Sequence, residues 1–327
     1  MKKLVLRFAA VAAVVITAST PTLVRAADPY PTQAVTMVVP FPPGAITDNI
    51  ARLLSTELAA AWKQPVVVEN RPGASGMIGA GQVARAPKDG HTALFTITTH
   101  VQMPALQPKM PYDALRDFVP VSQVALSRSI LAVGPGFPAE TMKDFVAKLK
   151  EAPGRHSYGH YGNGTTGHIY GELFKKQAGV DLIPVPYKGG APLVADLLAG
   201  HISIAVVDAG TSTPYLKAGR YKAMAIIGTK RSAALPNVPT FLELGLKGFE
   251  PYAWMGILMP AGTPKDRVDR MSSELARIIA RPDINRKLQE LNLEPVGSTS
   301  DEFAETLRRD SATWKEVIEL GGVKLDQ

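Results

Sequence analysis

The chain has no cysteine among its 327 residues. Disulfides, Cys-based zinc sites and a cysteine nucleophile are therefore excluded. Beyond residue 26 no apolar run reaches the roughly 20 residues that a membrane-spanning helix needs. There is no Gly-x-Ser-x-Gly elbow, no His-Glu-x-x-His and no P-loop. The usual marks of a serine hydrolase, a zinc protease and a nucleotide-binding enzyme are thus missing. No block of like charge runs along the chain, so nucleic acid is not an expected partner. Six histidines are scattered without a motif, which gives a catalytic triad no positive support. No cofactor, metal site or catalytic residue is expected.

What is present begins with an export signal. Lys2, Lys3 and Arg7 precede a short apolar run, Phe8 to Ala18, and Val24-Arg25-Ala26 offers small residues for cleavage. This run is too short to span a bilayer and reads as a secretory signal over residues 1–26, cleaved near Ala26. The signal holds four basic residues and no acid, so the net charge of +7 falls to 7 − 4 = +3 in the mature chain. About 300 mature residues are ample for a core without disulfides and suggest two domains.

Strand-like and helix-like segments alternate from Ala34 onward. Ala34 to Val39, Val66 to Val68 and Thr92 to Thr98 read as strands, with helical spacing at Ile50, Leu54, Leu58 and Trp62 between the first two. A second unit repeats the plan from Val119. The pattern predicts an α/β protein of two lobes, each a mainly parallel sheet flanked by helices, with the ligand in the cleft between them. Residues 27–126 and 250–327 are expected to form one domain and residues 127–249 the other. The crossovers near Val124–Ile130 and Phe249–Trp254 would then be hinges. A monomer is expected, because the cleft needs freedom to close.

One loop occurs twice. Pro40-Phe41-Pro42-Pro43-Gly44-Ala45-Ile46-Thr47-Asp48 and Gly159-His160-Tyr161-Gly162-Asn163-Gly164-Thr165-Thr166-Gly167-His168 each follow a strand-like run and open a helix. Such a loop offers backbone N–H groups at the positive end of a helix dipole, which suits an anion. Two of them, at the carboxyl ends of strands, suggest two lobes gripping one acidic ligand.

The chain resembles the tripartite tricarboxylate transporter receptors, the Bug family of periplasmic solute-binding proteins, over essentially its whole mature length. The resemblance is carried by Val39 to Gly44 with Thr47-Asp48, by Glu69-Asn70-Arg71-Pro72-Gly73-Ala74-Ser75-Gly76, and by Pro87-Lys88-Asp89-Gly90-His91-Thr92. Tyr158-Gly159 with Gly162-Asn163-Gly164, Pro186-Tyr187-Lys188-Gly189, Leu235 to Thr240 and Pro260-Ala261-Gly262-Thr263-Pro264 continue it. The resemblance implies a flytrap-like receptor that holds a small organic carboxylate between the two loops. It also implies delivery of that acid to a membrane permease with a large and a small subunit. Receptors of ABC-type or TRAP-type uptake systems are the alternative, and a periplasmic hydrolase the remaining one.

The candidate contacts in the first loop are Phe41, Pro43, Gly44, Ala45, Thr47 and Asp48. Asp48 reads equally as a helix cap, since a carboxylate repels an anionic ligand. The family usually has a second glycine where this chain has Ala45, whose methyl group is expected to crowd the ligand or change the backbone angle. In the second loop the candidates are Gly162, Asn163, Gly164, Thr165, Thr166 and His168. His160 and Tyr161 depart from the small residues common in the family. They either narrow the cleft or alternate, so that only one faces it. Arg128, at a hinge, pairs with a second carboxylate of the ligand or is an exposed hinge residue. Asp208 contacts ligand or caps the helix Thr213 to Ala218. Thr98, Thr99 and His100 end a strand as candidate cleft-floor groups, and Tyr187 borders the pocket. Trp62, Trp254 and Trp314 read as packing. The ligand class left open is a mono- or dicarboxylate, with His160, Tyr161 and Arg128 leaning toward a larger or aromatic acid.

Overall fold

A computed structural model describes residues 30–325. The export signal read at residues 1–26 lies outside the described residues. The first unit starts with a buried strand, β1 (Val35–Val39), followed by α1 (Ile46–Trp62). Ile50, Leu54, Leu58 and Trp62 recur every four residues and bury one face of α1. Next come β2 (Val66–Asn70), a 3-10 turn at Ala74–Gly76, α2 (Met77–Ala84), β3 (Thr92–Ile97), α3 (Thr99–Leu106) and β4 (Phe118–Ser127).

The chain then passes through the single residue Arg128 into β5 (Ser129–Val133). The second unit continues through α4 (Met142–Glu151), β6 (His156–His160), α5 (Thr166–Ala178), β7 (Leu182–Pro186), α6 (Gly190–Ala199), β8 (Ile204–Asp208), α7 (Ala209–Lys217) and β9 (Lys222–Ile226). It returns as β10 (Ala253–Pro260), then α8 (Lys265–Ala280), α9 (Pro282–Glu290), β11 (Leu293–Pro295) and α10 (Ser300–Gly321). Helix α10 begins with a capping box, Thr299 and Glu302 each reaching the other's backbone, and ends at a left-handed Gly322.

The strands form two sheets, in the orders β11-β4-β10-β3-β1-β2 and β7-β6-β8-β5-β9. Both are mixed. The expected parallel pairing holds for β1 with β2 and β3, and for β6 with β7 and β8. The strands next to the crossovers, β4, β5, β9 and β10, pair antiparallel. β4 runs into β5 through Arg128 alone, whereas residues 227–252 separate β9 from β10.

Three apolar clusters fill the layers. One lies between the first sheet and α1, α8 and α9, around Met37, Leu54, Met271 and Ile284. One lies under α6 and α7 on the second sheet, around Leu193, Val207 and Tyr221. The third is continuous across both sheets and includes Leu94, Leu131, Phe174, Trp254 and Trp314. The result is a two-lobed α/β fold. Trp254 and Trp314 are almost completely buried, as packing residues should be. Among the described residues no helix is long and apolar enough to cross a membrane.

Candidate functional site

The two loops have the same local backbone. In the first, Gly44 has φ +80° and is followed by the N-cap Ala45 at φ −70°, ψ 161°. In the second, Gly164 has φ +76° and is followed by the N-cap Thr165 at φ −79°, ψ 162°. A left-handed residue turns the chain sharply, and the extended N-cap then aims the first helical N–H groups outward. Neither N-cap side chain closes its helix start. Ala45 has no polar group, and the Thr165 hydroxyl donates instead to Gly162 O, 2.7 Å away. Helices α4, α7 and α10 differ, with Thr141, Asp208 and Thr299 capping them. Ala45 holds an angle open to any L-residue, so its methyl forces no unusual backbone.

A charged brace shapes the first loop. Asp48 is 3 % exposed. Its carboxylate accepts from Gly44 N–H at 2.9 Å, Arg52 Nε at 3.0 Å and Asn70 Nδ2 at 2.9 Å. Asn70 Nδ2 also reaches Phe41 O at 3.2 Å. Burial alone would raise the Asp48 pKa. The bonds from Arg52, Gly44 N–H and Asn70 outweigh it, and the pKa falls below the usual carboxylate value. Both carboxylate oxygens are therefore used in holding the loop. Phe41 and Ala45 are half-buried, Pro43 and Gly44 exposed, and Thr47 buried with no hydrogen-bond partner for its hydroxyl among the described residues.

Imidazoles brace the second loop. His168 Nδ1 accepts Gly164 N–H at 3.2 Å, so that nitrogen carries no proton. His160 Nδ1 lies against the Gly162 peptide, 3.0 Å from its oxygen and 3.3 Å from its nitrogen. The two rings are 4.7 Å apart. His160 is fully buried, and its Nε2 has no partner among the described residues. Burial, reinforced by the neighbouring His168, lowers its pKa to about 4 and keeps it neutral.

A short chain of contacts joins the loops. Pro40 and Phe41 pack against Gly76, and the adjacent Ser75 Oγ donates to Asn163 O at 2.8 Å. Gln102 on α3 donates to Thr166 Oγ1 at 3.0 Å. Gly164 packs against Met103 and Leu106. Ser75 and Gln102 are contacts that sequence reasoning did not single out. The available signal for Gln102 was a lone amide inside the apolar run Val101-Gln102-Met103. Thr99 lies one helical turn before Gln102, and its buried hydroxyl also lacks a partner among the described residues.

The remaining candidates have partners away from the loops. Arg128 donates to Lys230 O at 2.7 Å and to Glu294 Oε2 at 3.2 Å, and its guanidinium lies 4.7 Å from the Tyr252 ring centroid. It thus binds the outgoing crossover to the returning one. His100 is buried beside Tyr112 and Phe118, with Nε2 2.8 Å from Ala114 O, and burial lowers its pKa to about 4. His100 is inside a helix, because β3 runs into α3 with only Thr98 between. His160 and Tyr161 alternate. His160 points under α5, whereas the Tyr161 hydroxyl donates to the Asp208 carboxylate and accepts Asp208 N–H at 2.9 Å. Asp208 caps α7 through Thr211 N–H at 2.7 Å, four residues earlier than the helix start read from sequence. The Tyr187 hydroxyl donates to Asp196 at 2.7 Å, and burial together with that carboxylate raises its pKa to about 12.

Two open cavities of about 560 and 420 Å³ lie elsewhere and share Gln123, Val296, Thr306 and Arg309. No residue of either loop lines them. They have mixed charge and no uncapped helix start, since Glu302 is engaged in the α10 capping box.

Residues 50–323 match the model of the tripartite tricarboxylate transporter family receptor. The chain belongs to this family. The receptor superposes on a solved periplasmic transporter with a TM-score of 0.85 and 38 % identity, covering 91 % of this chain and all of that one. It also matches Rpa4515 of R. palustris, solved with adipate, at TM-score 0.84 and 33 % identity, with 90 % and 99 % covered. MatC of Rhodopseudomonas palustris, solved with bound malate, matches at TM-score 0.82 and 30 % identity, with 88 % and 100 % covered. The protein is thus a solute-binding receptor of the periplasmic transporter class and not an enzyme.

Proposed function

We propose that this receptor captures a small dicarboxylate between its two loops and delivers it to a tripartite tricarboxylate-type permease in the membrane. The observation that carries the reading is the repeated unit of left-handed glycine, extended N-cap and helix start without a side-chain cap. One ligand carboxylate would accept N–H groups from the first turns of α1 and α5. Both helices contribute a partial positive charge there, and the Asp48 carboxylate in the first turn of α1 is already engaged by Gly44 N–H, Arg52 and Asn70. The Thr47 and Thr99 hydroxyls and His160 Nε2, all on or next to the loops, are among the buried polar atoms of the described residues with no side-chain or backbone partner. The dicarboxylate class is supported by the adipate and malate held by two relatives at 33 % and 30 % identity. Lobe closure would turn on residue Arg128 and on the return segment at Tyr252, whose side chains already stack. The mature protein would act in the periplasm after signal cleavage near Ala26, as a monomer.

The test is calorimetric titration of the purified receptor with adipate, malate, succinate, acetate and benzoate. Saturable binding of a dicarboxylate, at least tenfold tighter than acetate or benzoate, supports the proposal. Equal or tighter binding of the monocarboxylates overturns the ligand class.

A further inference from the structure

Two hydrogen bonds tie the second loop to the first lobe. Ser75 Oγ donates to Asn163 O at 2.8 Å, and Gln102 Nε2 donates to Thr166 Oγ1 at 3.0 Å. The Thr166 hydroxyl can return its own proton to Gln102 Oε1 at 3.4 Å. Gln102 is completely buried and Thr166 is 9 % exposed. Ser75 reaches Asn163 from a left-handed backbone, φ 52° and ψ 33°, beside a second non-glycine residue of that kind, Ala74 at φ 46°. Such angles are unfavourable for residues with a Cβ, and they persist only where the surroundings hold them.

We propose that Gln102 and Ser75 are positioning residues that latch the α5 end of the anion site to the first lobe. They act on the ligand through Thr166 and Asn163 without touching it. Each bond costs desolvation of two polar groups and returns it only when the partners meet in one geometry. When the lobes separate, water satisfies the same four groups, so the bonds favour one lobe arrangement and not the fold as a whole. A leucine at residue 102 leaves the Thr166 hydroxyl buried without its amide partner in the closed arrangement and solvated in the open one. The latch therefore raises the closed fraction with or without a ligand. It should also slow ligand escape more than ligand entry, because it forms only after the lobes meet.

The affinity part rests on the proposed receptor function, and the closure part does not. The test uses Gln102→Leu and the more exposed Ser75→Ala, each refolded in acid-free buffer to strip retained ligand. Small-angle scattering without ligand reads the lobe arrangement, and stopped-flow with adipate as the probe reads the rates. The expected result is a larger radius of gyration for both variants, with adipate restoring the wild-type value. The off-rate should rise roughly three- to tenfold and the on-rate change less than twofold, about what one lost hydrogen bond gives. Ser75→Ala keeps the test decisive if Gln102→Leu folds poorly. Ligand-free scattering identical to wild type in the folded variants overturns the latch. If adipate does not bind the wild type at all, the ligand proposal fails, while the scattering still decides the latch.

Discussion

The two loops share a backbone but are held by opposite means. The first is braced by charge, with Asp48 gathering Gly44 N–H, Arg52 and Asn70, and its tip at Pro42, Pro43 and Gly44 is exposed. The second is braced by two imidazoles, and Gly164, Thr165 and Thr166 are buried, partly against the other lobe. One geometry can therefore be built from a salt-bridged surface or from a neutral interior. The choice decides what each loop tolerates. The first should respond to lost charge partners, and the second to added volume and to acid.

The largest contrast should come from the matched pair Gly164→Ala and Gly44→Ala. Both glycines are left-handed, so each alanine carries about 1–2 kcal/mol of backbone strain. A Cβ at Gly44 meets nothing within 4 Å, whereas one at Gly164 would sit 3.1 Å from Met103 Sδ and 3.2 Å from Leu106 Cδ1. Crowding of this kind adds roughly another 1–2 kcal/mol. Urea denaturation should rank Gly164→Ala below Gly44→Ala, and equal loss would show that the second loop has slack.

Acid should separate the loops next. The folded pKa of His160 is about 4, against 6.5 for the free side chain. Above about pH 6.5 both folded and unfolded His160 are neutral, and the full stability is present. Between 6.5 and 4 the unfolded chain takes a proton that the folded chain refuses, so stability declines by up to about 3 kcal/mol. Asp48 runs at lower pH. Its folded pKa lies below 3.8, so its contribution is intact above that value and is lost only as pH falls through the folded one. The protection of Gly162 and Gly164 amides, measured against the intrinsic exchange rate at each pH, should therefore fall well before that of Gly44 as pH is lowered. His100 loses stability in the same window as His160. His160→Asn should flatten only the His160 share, and an unchanged pH profile in that variant would remove His160 from the account.

Smaller effects should test the charged brace. Asn70→Ala removes the donor shared by Phe41 O and Asp48, and a loss of about 1–2 kcal/mol is expected by urea denaturation. Arg52→Ala should cost less than about 1 kcal/mol, because its side chain is half exposed and solvent screens the pair. A larger loss from Arg52→Ala than from Asn70→Ala would mean that the ion pair, and not the amide bridge, holds the first loop.

Both loops could be read from sequence because each is a local signal, glycine before a helix after a strand-like run. The α1 face at Ile50, Leu54 and Leu58 was legible from its four-residue spacing. Helix α3 was hidden, because β3 runs into it with no glycine or proline between and Pro104 lies inside it. The short β11 gave no periodic signal. The sequence leaves Arg128 open between an anion contact and an exposed hinge residue, because its partners Lys230 and Glu294 are 102 and 166 residues away. Separation in sequence likewise hid the pairing of Gln102 with Thr166, 64 residues apart. Pairing of this kind is a property of the folded chain and leaves no local trace.

The central claim is that one carboxylate is held by the helix starts of both loops. The most direct measurement is amide NMR of the labelled receptor during titration with adipate and, separately, malate. The account predicts that the amides of Ile46 and Thr47 and those of Thr166 and Gly167 shift together, along one binding curve. Saturable binding that leaves either pair unmoved would contradict it.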